Sequence, residues 1–172
     1  LILSHRVPFP PNKGEKIRTF HQIKHLSELG HQIHLFSPYE DPAELAYFAA
    51  LGESLCQSVT AAPLKNKAMR LLTGLIKGQS MSVANFYDKT LQQKFDQFLT
   101  ANNVDAILCS ASSMAEYIFK SAVLNTLETK PLLIMDFMDV DSDKWGQYQQ
   151  SSSFPMSRVY AREQKLLAIY EK

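Results

Sequence analysis

Two short stretches hold the residue types that could do chemistry. In the first, Lys13-Gly14-Glu15-Lys16 stands where a helix begins, with Arg18 one turn further on. Free amide groups at a helix start, a glycine that lets a ligand approach the backbone, and three cations make this a candidate anion site, with Gly14, Lys13 and Lys16 as its phosphate-binding residues. Neither Gly-x-Gly-x-x-Gly nor the Walker lysine pattern occurs there, so neither a dinucleotide fingerprint nor a P-loop is indicated, and a plain turn-and-cap role is the alternative. In the second stretch, Leu132 to Met135 is an apolar run followed by Asp136, Asp139 and Asp141. Carboxylates just past a buried strand can be tuned as a base or a charge stabiliser. Asp139 and Asp136 are the catalytic candidates. Helix capping by Asp139 or Asp141, or an Asp139-x-Asp141 metal pair, are the competing readings. His21 and His25 are four apart without a third ligand and read as ordinary partly exposed histidines, and His31 and His34, which flank a strand, read as surface or packing residues. Cys56 and Cys109 lack partners and read as buried fillers.

These residues need elements to position them. Apolar runs of four to six residues alternate with helical stretches, the signature of an α/β fold with a parallel sheet. Strands are expected at Leu1 to Ser4, Gln32 to Phe36 (broken by Ser37-Pro38), Ser58 to Ala61 (ended by Pro63), Val104 to Cys109 and, buried, at Leu132 to Asp136. Helices are expected from Glu15 to Leu29 with Gly30 as stop, from Asp41-Pro42 to about Cys56, from Lys65 to Ile76, from Asp88 to Ala101, from Ser112 or Ser113 to about Leu127, over Lys144 to Gln150, and from Ser153-Phe154-Pro155 to Lys172. His5 to Gly14 and Gly78 to Asn85 read as loops. Ligands in open parallel sheets bind beyond the carboxyl ends of the strands. Those ends supply His5, Arg6 and Ser112, which with Phe86 and Tyr87 are the candidate acceptor contacts; Trp145 is a further aromatic that could line a groove.

The stretch from Lys65 to Lys77 combines Ala68, Leu71, Leu72, Leu75 and Ile76 with Lys65, Lys67, Arg70 and Lys77. Core packing against the sheet is the expected use of that apolar face, and peripheral contact of residues 65–77 with an anionic membrane, or contact with an acceptor, is the alternative. Eighteen Lys plus Arg against seventeen Asp plus Glu leave a net charge of +1, too balanced for a nucleic-acid binder that works by bulk charge. Two widely separated cysteines form neither a metal knuckle nor a disulfide scaffold, so a reducing, cytoplasmic setting is expected. No apolar run approaches the roughly 20 residues of a membrane span.

His5-Arg6-Val7-Pro8-Phe9-Pro10-Pro11-Asn12-Lys13-Gly14-Glu15-Lys16-Ile17-Arg18, Asp136-Phe137-Met138-Asp139-Val140-Asp141-Ser142-Asp143-Lys144-Trp145 and the helix around Arg158 to Glu171 resemble the N-terminal half of bacterial family-four glycosyltransferases. The likeness is greatest to the sugar transferases of exosortase-associated exopolysaccharide loci. The resemblance implies a GT-B architecture of two Rossmann-like domains, with residues 1–172 as the acceptor-side domain and the donor-binding domain outside this chain. It implies a glycosyltransferase of the retaining type, working near the inner face of the cell membrane on a nucleotide-sugar donor and a saccharide or lipid-linked acceptor. It implies no resident cofactor and no bound metal. By the same likeness Gly14, assisted by Lys13 or Lys16, lies against the donor diphosphate, and Asp139, with Asp136 second, lies near the reacting sugar carbon. The rival from another class is a flavodoxin-like binding module without catalysis; a receiver domain is disfavoured because the first strand ends in Ser4-His5-Arg6 rather than in acids.

Overall fold

The computed structural model describes residues 1–137 and 139–171. Met138, in the acidic motif, and Lys172, the expected end of the last helix, lie outside the described residues. Five parallel strands, β1 (Ile2–Leu3), β2 (His34–Tyr39), β3 (Ser58–Pro63), β4 (Ala106–Cys109) and β5 (Leu132–Met135), form one sheet in the order β3-β2-β1-β4-β5. That is the order of the first five strands of a Rossmann-like sheet, and it differs from the flavodoxin-like order 2-1-3-4-5. The flavodoxin-like alternative therefore has the wrong topology.

β1 is short but central. Ile2 and Leu3 pair with Leu35 and Phe36 on one side and with Leu108 and Cys109 on the other. Successive strand side chains point to opposite faces, so the residues divide between two cores. Leu3, Phe36 and Ile107 pack with Leu91, Phe95 and Leu99 of α5 (Lys89–Ala101), whereas Ile2 and Leu35 pack with Ile23 of α1 (Gly14–Glu28) and with Phe48 and Leu51 of α2 (Leu45–Ser54). Both faces are thus covered by helices. α1 ends where Gly30 takes φ of 86°, and α5 starts where the Asp88 carboxylate accepts from the amides of Thr90 and Leu91 at 2.7 and 3.0 Å, both as the sequence predicts.

Elsewhere the structure corrects the sequence. β2 runs through Ser37-Pro38 instead of breaking there. Phe36 faces β1, where its carbonyl accepts from Ser4, and Pro38 two residues later faces the same side after β1 has ended, so its missing N–H costs no ladder bond. Residues 81–86, expected as loop, form α4 (Met81–Phe86), following α3 (Lys67–Ile76). The helix expected from Ser112 to Leu127 shrinks to a 3-10 turn and α6 (Ala115–Phe119). Neither Ser112 nor Ser113 caps it, and Ser121 ends it, because its hydroxyl oxygen accepts from the amides of Val123 and Leu124 while the group bonds to Asp96. β5 is an edge strand, not a buried one: Leu132, Leu133 and Ile134 are exposed. Two helices close the chain, α7 (Asp141–Ser151) and α8 (Met156–Tyr170), packed against each other. Among the described residues no helix is long and apolar enough to cross a membrane.

Candidate functional site

Strand order reverses direction between β1 and β4, and the loops leaving their carboxyl ends diverge there to leave a crevice. A cavity of about 810 Å³ opens at this place. Its floor begins at the end of β1, where the Ser4 hydroxyl donates to the Arg6 carbonyl at 2.6 Å and turns the chain out of the sheet. This brings His5 and Arg6 to the cavity, beside Gly14, Glu15 and Arg18 of α1. The β4 end adds Ala111, Ser112 and Ser113, and the segment after β5 adds Asp139, Asp141, Lys144 and Trp145. The opposite wall is Lys67 and Leu71 of α3 with Met81, Ser82, Asn85 and Phe86 of α4.

The α1 end is open to a ligand. Lys13 occupies the cap position in an extended conformation and makes no side-chain capping bond, so the first amides of a 15-residue helix are not satisfied by a cap. A Cβ built on Gly14 meets nothing within 4 Å, which means that space, not backbone strain, is what glycine leaves here. Four basic side chains on the lining, Arg6, Arg18, Lys67 and Lys144, face three acidic ones, Glu15, Asp139 and Asp141.

His5 stands out chemically. Its Nδ1 is buried without a hydrogen-bond partner, and its ring meets Phe86 edge-on with centroids 5.1 Å apart. Burial, and then the neighbouring Arg6 charge, lower its pKa to about 4, with Glu15 opposing. The imidazole is therefore neutral at physiological pH and carries an acceptor or donor nitrogen with no protein partner. The Arg6 guanidinium lies 5.8 Å from the centroid of the same Phe86 ring.

The acids play different parts. Asp139 is exposed on the lining. Asp136 does not line the cavity; its carboxylate pairs with Arg18 and accepts from Gln22 Nε2 at 2.7 Å, so it anchors the arginine that does. The capping reading of Asp139 and Asp141 fails as well. Neither accepts from the first turn of α7, whose Ser142 amide donates at 3.1 Å to Glu171, 29 residues away. Ser112 Oγ lies within reach of Asp141 Oδ2 at 3.3 Å and Glu171 Oε1 at 3.4 Å. Burial raises the Asp141 pKa, the Ser112 bond and Lys144 oppose this, and Glu171 and Asp139 add to it.

Of the residues singled out from the sequence, the structure gathers His5, Arg6, Gly14, Phe86, Ser112, Asp139 and Trp145 at one cavity. It leaves three others off the lining besides Asp136. Lys13 is exposed at the helix cap, Lys16 is half-buried on α1, and Tyr87 packs on Tyr117 with the Lys120 ammonium 4.2 Å from its ring centroid. Sequence reasoning named Arg18 and Phe86 but missed Lys144 as a lining cation and the helix α4 that carries Phe86. The Ser80 capping signal before Met81 was legible: the Ser80 hydroxyl accepts from Ser82 and Val83 amides. Among the described residues no group of three His, Cys, Asp or Glu side chains is placed to share a metal ion. Family models, curated proteins and solved structures give no match to this chain, so its function has to be read from this cavity.

Proposed function

We propose that the chain is the acceptor-side domain of a glycosyltransferase that moves a sugar from a nucleotide-sugar to a saccharide or lipid-linked acceptor, as in exopolysaccharide synthesis. The observation that carries this reading is the cavity at the sheet's reversal point, which joins an uncapped helix start to a cluster of cations and hydrogen-bonding groups. Phosphate oxygens suit the α1 amides at Gly14 and Glu15 and the nearby Arg18, because both the backbone groups and the helix dipole favour negative charge there. Sugar hydroxyls suit His5, Ser112, Asn85 and Asp139, which offer acceptors and donors on a lining whose apolar surface includes Phe86, Trp145 and Leu71. In this reading the diphosphate of the donor rests on α1 as the charge of the leaving group develops, stabilised by amides already in place. The neutral His5 ring accepts a hydrogen bond from the acceptor, and Asp139 orients or stabilises the reacting centre. The donor base and ribose belong to a second domain, as the resemblance to GT-B enzymes implies.

Gly14 tests the reading. A Gly14→Ala side chain has free space, and should leave pyrophosphate binding within about twofold, whereas Gly14→Leu fills the space over the amides and should abolish it with little change in thermal stability. Calorimetric or NMR titration with pyrophosphate measures both. Unchanged binding by Gly14→Leu removes the anion from α1 and, with it, this proposal.

A further inference from the structure

α3 is built inside out. At about 100° per residue, Leu71, Leu75, Ala68, Leu72, Ile76 and Met69 form one continuous arc of roughly 160°. A crossover helix turns such an arc toward the sheet, but here Ile76 is 77% exposed, Met69 64%, Leu72 58% and Leu75 51%. The buried side is instead Arg70 and Gly74. Arg70 donates to Glu40 at 2.5 Å, to Asn85 Oδ1 at 3.0 Å and to the Lys65 carbonyl. Gly74 touches α4 so closely that an added Cβ would lie 2.4 Å from Ala84 Cβ. Rotating α3 to bury its apolar arc would break the arginine's bonds and lose the glycine contact, so the outward orientation is built into the packing. The core-packing role expected of this face is therefore not the one the fold gives it.

The charge around the arc limits what can cover it. From Ser54 to Tyr87 the chain contains no Asp or Glu, and Lys65, Lys67 and Lys77, all exposed, bracket the helix while Arg70 is paired with Glu40. A large apolar stripe whose own segment supplies three exposed lysines and no acid matches a surface that is apolar beneath and anionic on top. We infer that α3 docks this domain on an anionic lipid bilayer, with Met69, Leu72, Leu75 and Ile76 entering the acyl boundary and the three lysines meeting lipid phosphates. Leu71 and Lys67 line the cavity from the same helix, so docking sets the cavity's α3 wall at the lipid surface. The inference rests on the exposed face alone and does not depend on what the cavity binds.

Co-sedimentation of the whole chain with vesicles tests it. Vesicles of phosphatidylcholine with about one-third phosphatidylglycerol should pellet the protein, and phosphatidylcholine alone should not. Replacing Leu72→Glu and Ile76→Glu together should cut the association at least tenfold. Both side chains are solvent-exposed, so the circular dichroism spectrum should be unchanged. Lys65→Gln with Lys77→Gln should weaken anionic-vesicle binding by roughly twenty-five-fold, from about fivefold per lysine near a charged surface. Equal pelleting by both vesicle types, no pelleting, or full binding by the Leu72/Ile76 variant overturns the inference. So does a parent protein that sediments as a dimer, ignores vesicles and becomes a monomer on the same substitution, which would assign the face to a second copy of the chain.

Discussion

At the scale of single residues, the cavity is distinguished by groups left without partners. His5 is the plainest case, because its Nδ1 is buried and unbonded while its proton is held off by burial and by Arg6. In the unfolded chain the ring takes its proton near pH 6.5, and in the folded chain only near pH 4. Between those values the unfolded state binds more protons, so stability is present above pH 6.5 and falls as the pH drops toward 4, by on the order of 2 to 3 kcal/mol. His5→Gln should flatten that part of the stability profile, measured by denaturant melts from pH 7 to 4; an unchanged slope would mean the ring is already protonated in the fold. The placement of Gly14, His5 and Asp139 at one cavity was legible in the sequence, from a helix start and from positions after strands. The roles of Asp136 and Glu171 were not. Asp136 is claimed by Arg18 and Gln22, 118 and 114 residues earlier, and Glu171 caps α7 from the far end of α8. No local pattern reports such long-range partners.

At the scale of elements, packing overrode local pattern in three places. α4 forms where short polar residues suggest loop, because Glu163 of α8, fully buried, accepts from the Ser80 hydroxyl at 2.7 Å and the Met81 amide at 2.9 Å and so fastens the helix start. α3 turns its apolar side outward because Gly74 is needed against Ala84. Gly74→Val should therefore destabilise the protein by roughly 2 to 3 kcal/mol through overpacking at the α3–α4 contact, lowering the melting temperature by several degrees. A melting temperature equal to the parent's would show that the two helices can separate freely. β5 is apolar, as read, yet lies at the sheet edge with Leu132 63% exposed. An exposed apolar edge strand is a template for strand pairing between molecules. Leu133→Lys should accordingly suppress concentration-dependent association, read by light scattering, with no loss of thermal stability. If scattering is unaffected, the edge is not the adhesive surface.

At the scale of the molecule, the alternation of apolar runs and amphipathic stretches was enough to read an α/β parallel sheet, since the inner strands are buried on both faces and parallel strands are joined by helical crossovers. Strand order was less accessible from local pattern, because a two-residue central strand such as β1 carries little signal; its place is set by pairing with Leu35, Phe36, Leu108 and Cys109. That order is what creates the crevice, and the crevice is what gathers a helix start, a neutral histidine and an exposed aspartate from three parts of the chain. Whether the gathered groups bind a phosphate-bearing ligand is most directly tested by following the backbone amide resonances of the 172-residue chain during titration with pyrophosphate. The account predicts saturable shifts centred on Gly14, Glu15 and the His5-Arg6 turn, at affinities near the millimolar range expected of a few anion contacts. Shifts confined to other surfaces, or none up to tens of millimolar ligand, would contradict it.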